Sequence, residues 1–237
     1  MDDKLRVVLD DLHRYGVEYD AGRVDRLERL RNVEPDSARV LAVLVRATGA
    51  RRVLEIGTSN GYSTLWLADA IRSVGGQLVS VDVDPARSAL AAQNLDRANL
   101  REWVELRVED AAVSLRDAHD GSWDMIFLDA ERTAYADYWP DLVRVLRPGG
   151  MLAVDNVLSH AEEVEDFRSL IVSDERVSEA TVPTGAGLLL VVRNPISGLK
   201  SNRSVPQSIG GPPRRRSPIS LPRSGAGHSS LATDEVP

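Results

Sequence analysis

Short apolar runs alternate along this chain with longer stretches in which apolar residues recur every three or four positions. The short runs Arg52–Ile56, Gln77–Val83, Trp103–Val108, Asp124–Leu128 and Met151–Val154 predict strands, and Ser178–Val182 with Leu188–Val192 predict a closing pair. Between them the spacing predicts helices over Ser63–Val74, over Ala86–Ala98 behind an Asp84 cap and Pro85, from Ala111 for a short stretch, and over Tyr138–Leu146 and Ala161–Ser173. Upstream, Asp36–Thr48 reads as an amphipathic helix stopped by Gly49, and Leu5–Leu30 supplies more helix. Such alternation specifies an α/β fold, a mostly parallel sheet with helices on both faces. The turn "PTGAG", Pro183 to Gly187, makes the last two strands an antiparallel hairpin.

Sheets of this kind bind ligands beyond the carboxyl ends of their strands, where strand order reverses. Polar residues stand where the apolar runs stop: Glu55 and Gly57, Asp82, Asp129, and Asp155 with Asn156. An isolated aspartate there is an ordinary turn residue, but four strand ends carrying acids together are not expected of turns alone. The stretch "VLEIGTSNGYST", Val53 to Thr64, spaces its glycines as E-x-G-x-x-x-G, where a dinucleotide site wants G-x-G-x-x-G. Gly57 and Gly61 let the turn run close to a ligand. Glu55 suits an amino group or a bound water, and Asp82 suits a ribose diol. A ligand with an amino-acid end and a nucleoside end satisfies both, and S-adenosylmethionine (SAM) is such a molecule.

Composition narrows the setting. With 237 residues, 43% of them hydrophobic, the chain can bury one substantial core. It has no cysteine, which removes disulfides and thiolate metal sites. The start, "MDDKLRVVLD", lacks an apolar signal core, and no run approaches the ~20 apolar residues of a membrane span, so a cytoplasmic location away from membranes is expected. After Asn194 the composition changes: residues 195–237 hold seven of the twelve prolines, with many serines and glycines, and are expected to be a disordered tail. Six basic and two acidic residues give that tail +4, so residues 1–194, the expected folded domain with a helical part over 1–48, carry −7 − 4 = −11. An acidic body argues against nucleic acid as the main partner, and the Arg214-Arg215-Arg216 cluster reads as part of a solvated tail.

The pieces "VLEIGTSNGYS", "VSVDVDP", "DMIFLDAER", "LRPGG" and "VDNVL", in this order and spacing, resemble the cation-dependent class I O-methyltransferases that include the catechol and caffeoyl-coenzyme A enzymes; the likeness spans roughly Asn32 to Arg193. It implies a Rossmann-like, seven-stranded, mostly parallel sheet with one antiparallel strand. It also implies that Glu55, Gly57 and Ser63 surround the methionine part of SAM with Val33 and Tyr62 beside it, that Asp82 holds the ribose, and that Asp110 and Ala111 lie by the adenine. Asp129, also beside the cofactor, would join Asp155 and Asn156 as ligands of a divalent cation, with an oxygen set suited to Mg²⁺. The implied reaction moves the SAM methyl to a metal-chelated hydroxyl of a small catechol-like or phenolic acceptor. A homodimer stays open.

Two positions depart from the family pattern. Arg132 stands where a lysine is common, three residues after Asp129, and its guanidinium cannot act as a base at neutral pH. It is expected instead to be a catalytic fixed charge beside the acceptor. Ala186 stands where the closing turn often carries an aspartate. His160 could take a proton but reads as a surface loop residue, and Trp66, Trp103 and Trp123 read as packing. Trp139, with Tyr135 and Tyr138, either shapes an aromatic acceptor pocket or packs the following helix. Rival readings are a nicotinamide-dependent oxidoreductase, disfavoured by the missing glycine, and a non-catalytic SAM-binding protein, disfavoured by the intact Asp129, Asp155 and Asn156 trio.

Overall fold

A computed structural model describes residues 1–25 and 28–195; the proposed tail, from residue 196 on, lies outside the described residues. The strands are β1 (Arg52–Ile56), β2 (Gln77–Asp82), β3 (Val104–Val108), β4 (Trp123–Leu128), β5 (Leu146–Val154), β6 (Val177–Val182) and β7 (Leu188–Arg193). They form one seven-stranded sheet in the order β3-β2-β1-β4-β5-β7-β6. Strands β1 to β5 pair in parallel, and β7 runs antiparallel to both β5 and β6, so the expected hairpin and the expected single antiparallel strand are both present. The chain builds outward from β1 to β2 and β3, then returns to the other side of β1 for β4, which makes the β1/β4 boundary the point of reversal.

The helices are α1 (Asp3–Ala21), α2 (Pro35–Thr48), α3 (Tyr62–Val74), α4 (Pro85–Arg97), α5 (Ala111–Asp117), α6 (Tyr135–Val145) and α7 (Glu165–Ser173). Alternate strand residues feed two cores. Val53, Leu78, Met125 and Phe127 pack with α1, α2 and α3, whereas Leu54, Ile56, Ile126, Leu128 and Val154 pack with α5, α6 and α7. Burying each large apolar side chain in these cores stabilises the fold by about 1.5–3 kcal/mol. The same alternation turns Glu55, two residues after Val53, toward the α3 face. Caps behave as read: the Asp84 carboxylate accepts from Ala86 and Arg87 N–H ahead of α4, and Gly49 closes α2 in the left-handed region at φ 63°.

Four boundaries differ from expectation by more than two residues. Helix α1 stops at Ala21 rather than running to Leu30, because the Asp20 carboxylate accepts the Leu30 and Arg31 N–H groups at 2.7 and 2.9 Å and ties down the returning chain. Strand β5 begins at Leu146 and absorbs "LRPGG" as an irregularity, its register on β4 passing from Trp123↔Leu146 to Met125↔Met151. Helix α6 starts three residues early, at Tyr135, and carries Pro140 inside it. The stretch from Ala161 divides into a 3₁₀ turn, Ala161–Val164, and α7. No described helix is long and apolar enough to cross a membrane.

Candidate active site

The ladder continues one residue past several strands and sets their first loop residues in a row. Glu109 N–H donates to the Asp82 carbonyl, Gly57 to Val81, Asp129 to Ile56 and Asp155 to Leu128. Above this row, at the β1/β4 reversal, lies a cavity of about 370 Å³. Its wall includes Val33, Gly57, Tyr62, Ser63, Asp82, Asp110, Ala111 and Asp129, eight of the residues proposed for the cofactor.

Glu55 does not border it. Its carboxylate is fully buried and accepts the Ser63, Thr64 and Ser80 hydroxyls, each at 2.6 Å. Burial pushes its pKa up to about 7, against the pull of those three hydrogen bonds. It therefore fixes the start of α3 and touches the cavity only through Ser63. The two glycines also serve the chain itself. A Cβ at Gly57, where φ is 107°, would lie 2.0 Å from the Asp129 carbonyl oxygen, and one at Gly61, at φ 85°, would meet the Ala91 side chain of α4 at 3.0 Å. The close approach that excludes a side chain is strand loop to strand loop, and loop to helix, rather than loop to ligand.

Asp82 carries two jobs. Its oxygens accept the Ser59 and Asp84 N–H groups at 2.8 and 2.9 Å, which aims the carboxylate into the cavity from the end of β2. Asp110 caps α5 through the Ala112 N–H. Two wall residues that motif reading missed carry buried polar atoms without a protein partner among the described residues: Asn60 Nδ2, beside the start of α3, and Asn32 Oδ1. One is a donor and the other an acceptor, complementary to the carboxylate and ammonium of an amino-acid group. With Asp82 for a diol, the wall fits a nucleoside joined to an amino acid.

At the β4 and β5 ends, Asn156 Nδ2 lies 3.3 Å from Asp129 Oδ1 and 3.2 Å from Asp155 Oδ2, so one amide bridges two carboxylates. Asn156 adopts φ 65°, a left-handed conformation asparagine tolerates better than most side chains. Asp155 is 2% exposed, and its Oδ1 is buried with no hydrogen-bond partner among the described residues. Burial, then the neighbouring Asp129 charge, pushes the Asp155 pKa up to about 8; burial raises Asp129 to about 6 although Arg31, Arg132 and Asn156 pull it down. Two crowded carboxylates, one with an oxygen unpartnered among the described residues, beside an amide that would offer its oxygen in the flipped orientation, are a donor set that fits a hard divalent cation. No group of three or more His, Cys, Asp or Glu among the described residues forms a metal cluster, and this trio, with one amide, is not such a group.

Arg132 is 4% exposed, lies in the 3₁₀ turn Arg132–Ala134, and pairs through Nε with Glu163 Oε2 at 2.8 Å. Like Asp155 and Asn156, it does not border the cavity, to whose wall the trio contributes Asp129 alone, and its charge lowers the pKa of both Asp129 and Asp155. His160 is half-buried, its Nδ1 2.8 Å from the Ser159 hydroxyl. Of the three aromatic candidates only Tyr138 borders the cavity. Tyr135 and Trp139 stack edge-on against Phe167 at 5.5 and 5.7 Å, and the Tyr135 hydroxyl serves the Ala130 backbone.

Residues 23–194 match the family model described as O-methyltransferase. A catechol O-methyltransferase of Niastella koreensis is 34% identical over 138 residues, which span 57% of this chain and 62% of that one. Among solved structures, an O-methyltransferase from Bacillus cereus in complex with SAH superposes at TM-score 0.67 with 29% identity, over 82% of this chain and 92% of its own. An O-methyltransferase from Streptomyces achromogenes, involved in tomaymycin synthesis and solved with SAM, gives TM-score 0.66 and 25% identity, over 82% and 91%.

Proposed function

Because the chain belongs to the O-methyltransferase family, we propose that it moves the methyl group of SAM to a hydroxyl of a small catechol-like acceptor beside a divalent cation, Mg²⁺ by its ligand chemistry. Asp82 would take the ribose diol, Asp110 and Ala111 with Tyr138 would flank the base, and Asn60 and Asn32 would receive the amino-acid end. When bound, SAM supplies a sulfonium methyl that forms a bond to the acceptor oxygen as its C–S bond breaks, the electron pair staying on sulfur. Asp129, Asp155 and Asn156 would hold the cation, whose charge lowers the pKa of a neighbouring acceptor hydroxyl. The cavity walls orient the acceptor oxygen toward the methyl, and the hydroxyl proton passes to water.

The observation that carries this reading is the buried Asp155 Oδ1 just past β5, without a partner among the described residues and near a second carboxylate, Asp129, at the end of β4. A labelled-methyl assay over catechols and simple phenols tests it. Catechols should accept the label, chelator should abolish transfer and Mg²⁺ should restore it. Full transfer in excess chelator removes the cation from the proposal, and hydride exchange with a nicotinamide in place of methyl transfer removes the proposal itself.

A further inference from the structure

The returning chain after α1 brings Arg31 to the cavity wall together with Asp129. Its backbone sits at φ 51°, a left-handed conformation that arginine rarely adopts, and the Asp20 carboxylate holds it there through the Leu30 and Arg31 N–H groups. No acceptor among the described residues pairs with its guanidinium, although the chain spends a strained residue and an aspartate on placing it. Of the two arginines whose charge lowers the Asp129 pKa, Arg31 acts more strongly than Arg132. Arg132 is occupied by Glu163, whereas Arg31 is a half-buried cation on the same cavity wall as Asp129, close enough for its charge to act on that carboxylate.

We propose that Arg31 is a catalytic residue that binds the ionised hydroxyl of the acceptor, supplying from the N-terminal segment the fixed positive charge that the β4 loop does not present to the cavity. This rests on the methyltransferase reading above. The cofactor's own carboxylate has another donor in the orphaned Asn60 Nδ2, which leaves the guanidinium for the acceptor. A guanidinium cannot lose its proton at working pH, so it stabilises the oxyanion without competing for the proton that leaves.

The test uses the full chain with 4-nitrocatechol, whose visible absorbance reports its ionisation, titrated against pH in the presence of Mg²⁺ and S-adenosylhomocysteine (SAH). Arg31→Gln should raise the ionisation pKa of the bound probe by about one unit. It should lower kcat for catechol methylation by about 10²-fold and leave the SAH dissociation constant, measured by calorimetry, unchanged. Arg31→Lys should recover part of both losses. Arg31→Gly, which the left-handed backbone accepts without strain, should reproduce the glutamine variant if that variant folds poorly. Weakened SAH binding with unchanged probe ionisation would assign Arg31 to the cofactor carboxylate and overturn the proposal, as would variants that alter neither. If the unmodified protein itself fails to bind SAH, the methyltransferase reading falls first; if it binds SAH and only the variants are silent, Arg31 alone is misassigned.

Discussion

Glu55 and Asp155 are both carboxylates buried at the same edge of the sheet, on β1 and just past β5, and both have raised pKa values. They differ in what surrounds them. Neither side chain lines the cavity, but Glu55 has three hydroxyl donors, while Asp155 has one amide, the neighbouring Asp129 carboxylate and an oxygen without a partner among the described residues. Burying an ionisable group is expensive whether or not it is used. A group whose hydrogen bonds are complete repays that expense in local order, and a group left incomplete is stable only because the rest of the fold holds it. This difference favours a supporting role for Glu55 and makes the Asp129, Asp155 and Asn156 cluster the place where the proposed cation would bind.

The largest expected effect comes from Asp155→Asn. Turnover should fall by about 10³-fold or more, the several kcal/mol a catalytic cation supplies. Mg²⁺ affinity, followed by calorimetry, should fall with it. Melting of the metal-free protein at neutral pH should stay level or rise, since the substitution removes a carboxyl that folding holds protonated well above its ordinary pKa. A melting temperature that drops along with activity would make Asp155 a structural residue and collapse the distinction from Glu55.

For Glu55 the expected order is reversed, with stability changing first. Glu55→Ala strands three hydroxyls at about 1 kcal/mol each, so denaturant unfolding should show a loss of about 3 kcal/mol. Glu55→Gln separates charge from shape. With a folded pKa of about 7 above the ordinary 4.5, Glu55 contributes stability that is present below pH 4.5 and lost as pH rises through about 7. The glutamine variant does not titrate, so its unfolding free energy should decline less across that window than that of the unmodified protein. Parallel profiles would mean that Glu55 is already ionised in the fold and the carboxylate is better solvated than its burial indicates.

The sheet was legible because its signals are local: apolar runs, the Asp84-Pro85 cap and the Gly49 stop need only neighbouring residues to be recognised. The strand-end acids were legible for the same reason. What lay beyond reach depends on partners distant in sequence. The Gly57 requirement comes from the Asp129 carbonyl just past β4, and the Arg132 pairing from Glu163, 31 residues away. Arg31 and Asn32 belong to no motif and reach the cavity because Asp20 ties the returning chain down after α1, while Asn60 sits inside the glycine motif with nothing in the motif itself to single it out. The role of Glu55 did have a signal in strand alternation, which places it on the α3 face with Val53.

The smallest expected effect separates the two arginines as the first comparison separates the two acids. Arg132 is buried but matched by Glu163, whose side chain is 39% exposed and can be rehydrated when its partner is lost. Arg132→Gln should therefore cost about 1 kcal/mol of stability, nearer the value of an exposed pair than the 3–5 kcal/mol of a stranded buried charge. Its effect on kcat should stay below about tenfold, because its charge acts on the site through Asp129 and Asp155 and not on the acceptor, whereas loss of a direct oxyanion contact costs about 10²–10³. That is a reduction from the role the sequence alone assigned it, and steady-state kinetics of the two glutamine variants under identical Mg²⁺ and SAM decide it. If Arg132→Gln falls as far as Arg31→Gln, the turn carrying Arg132 opens into the cavity during turnover and the pairing with Glu163 is only its resting arrangement.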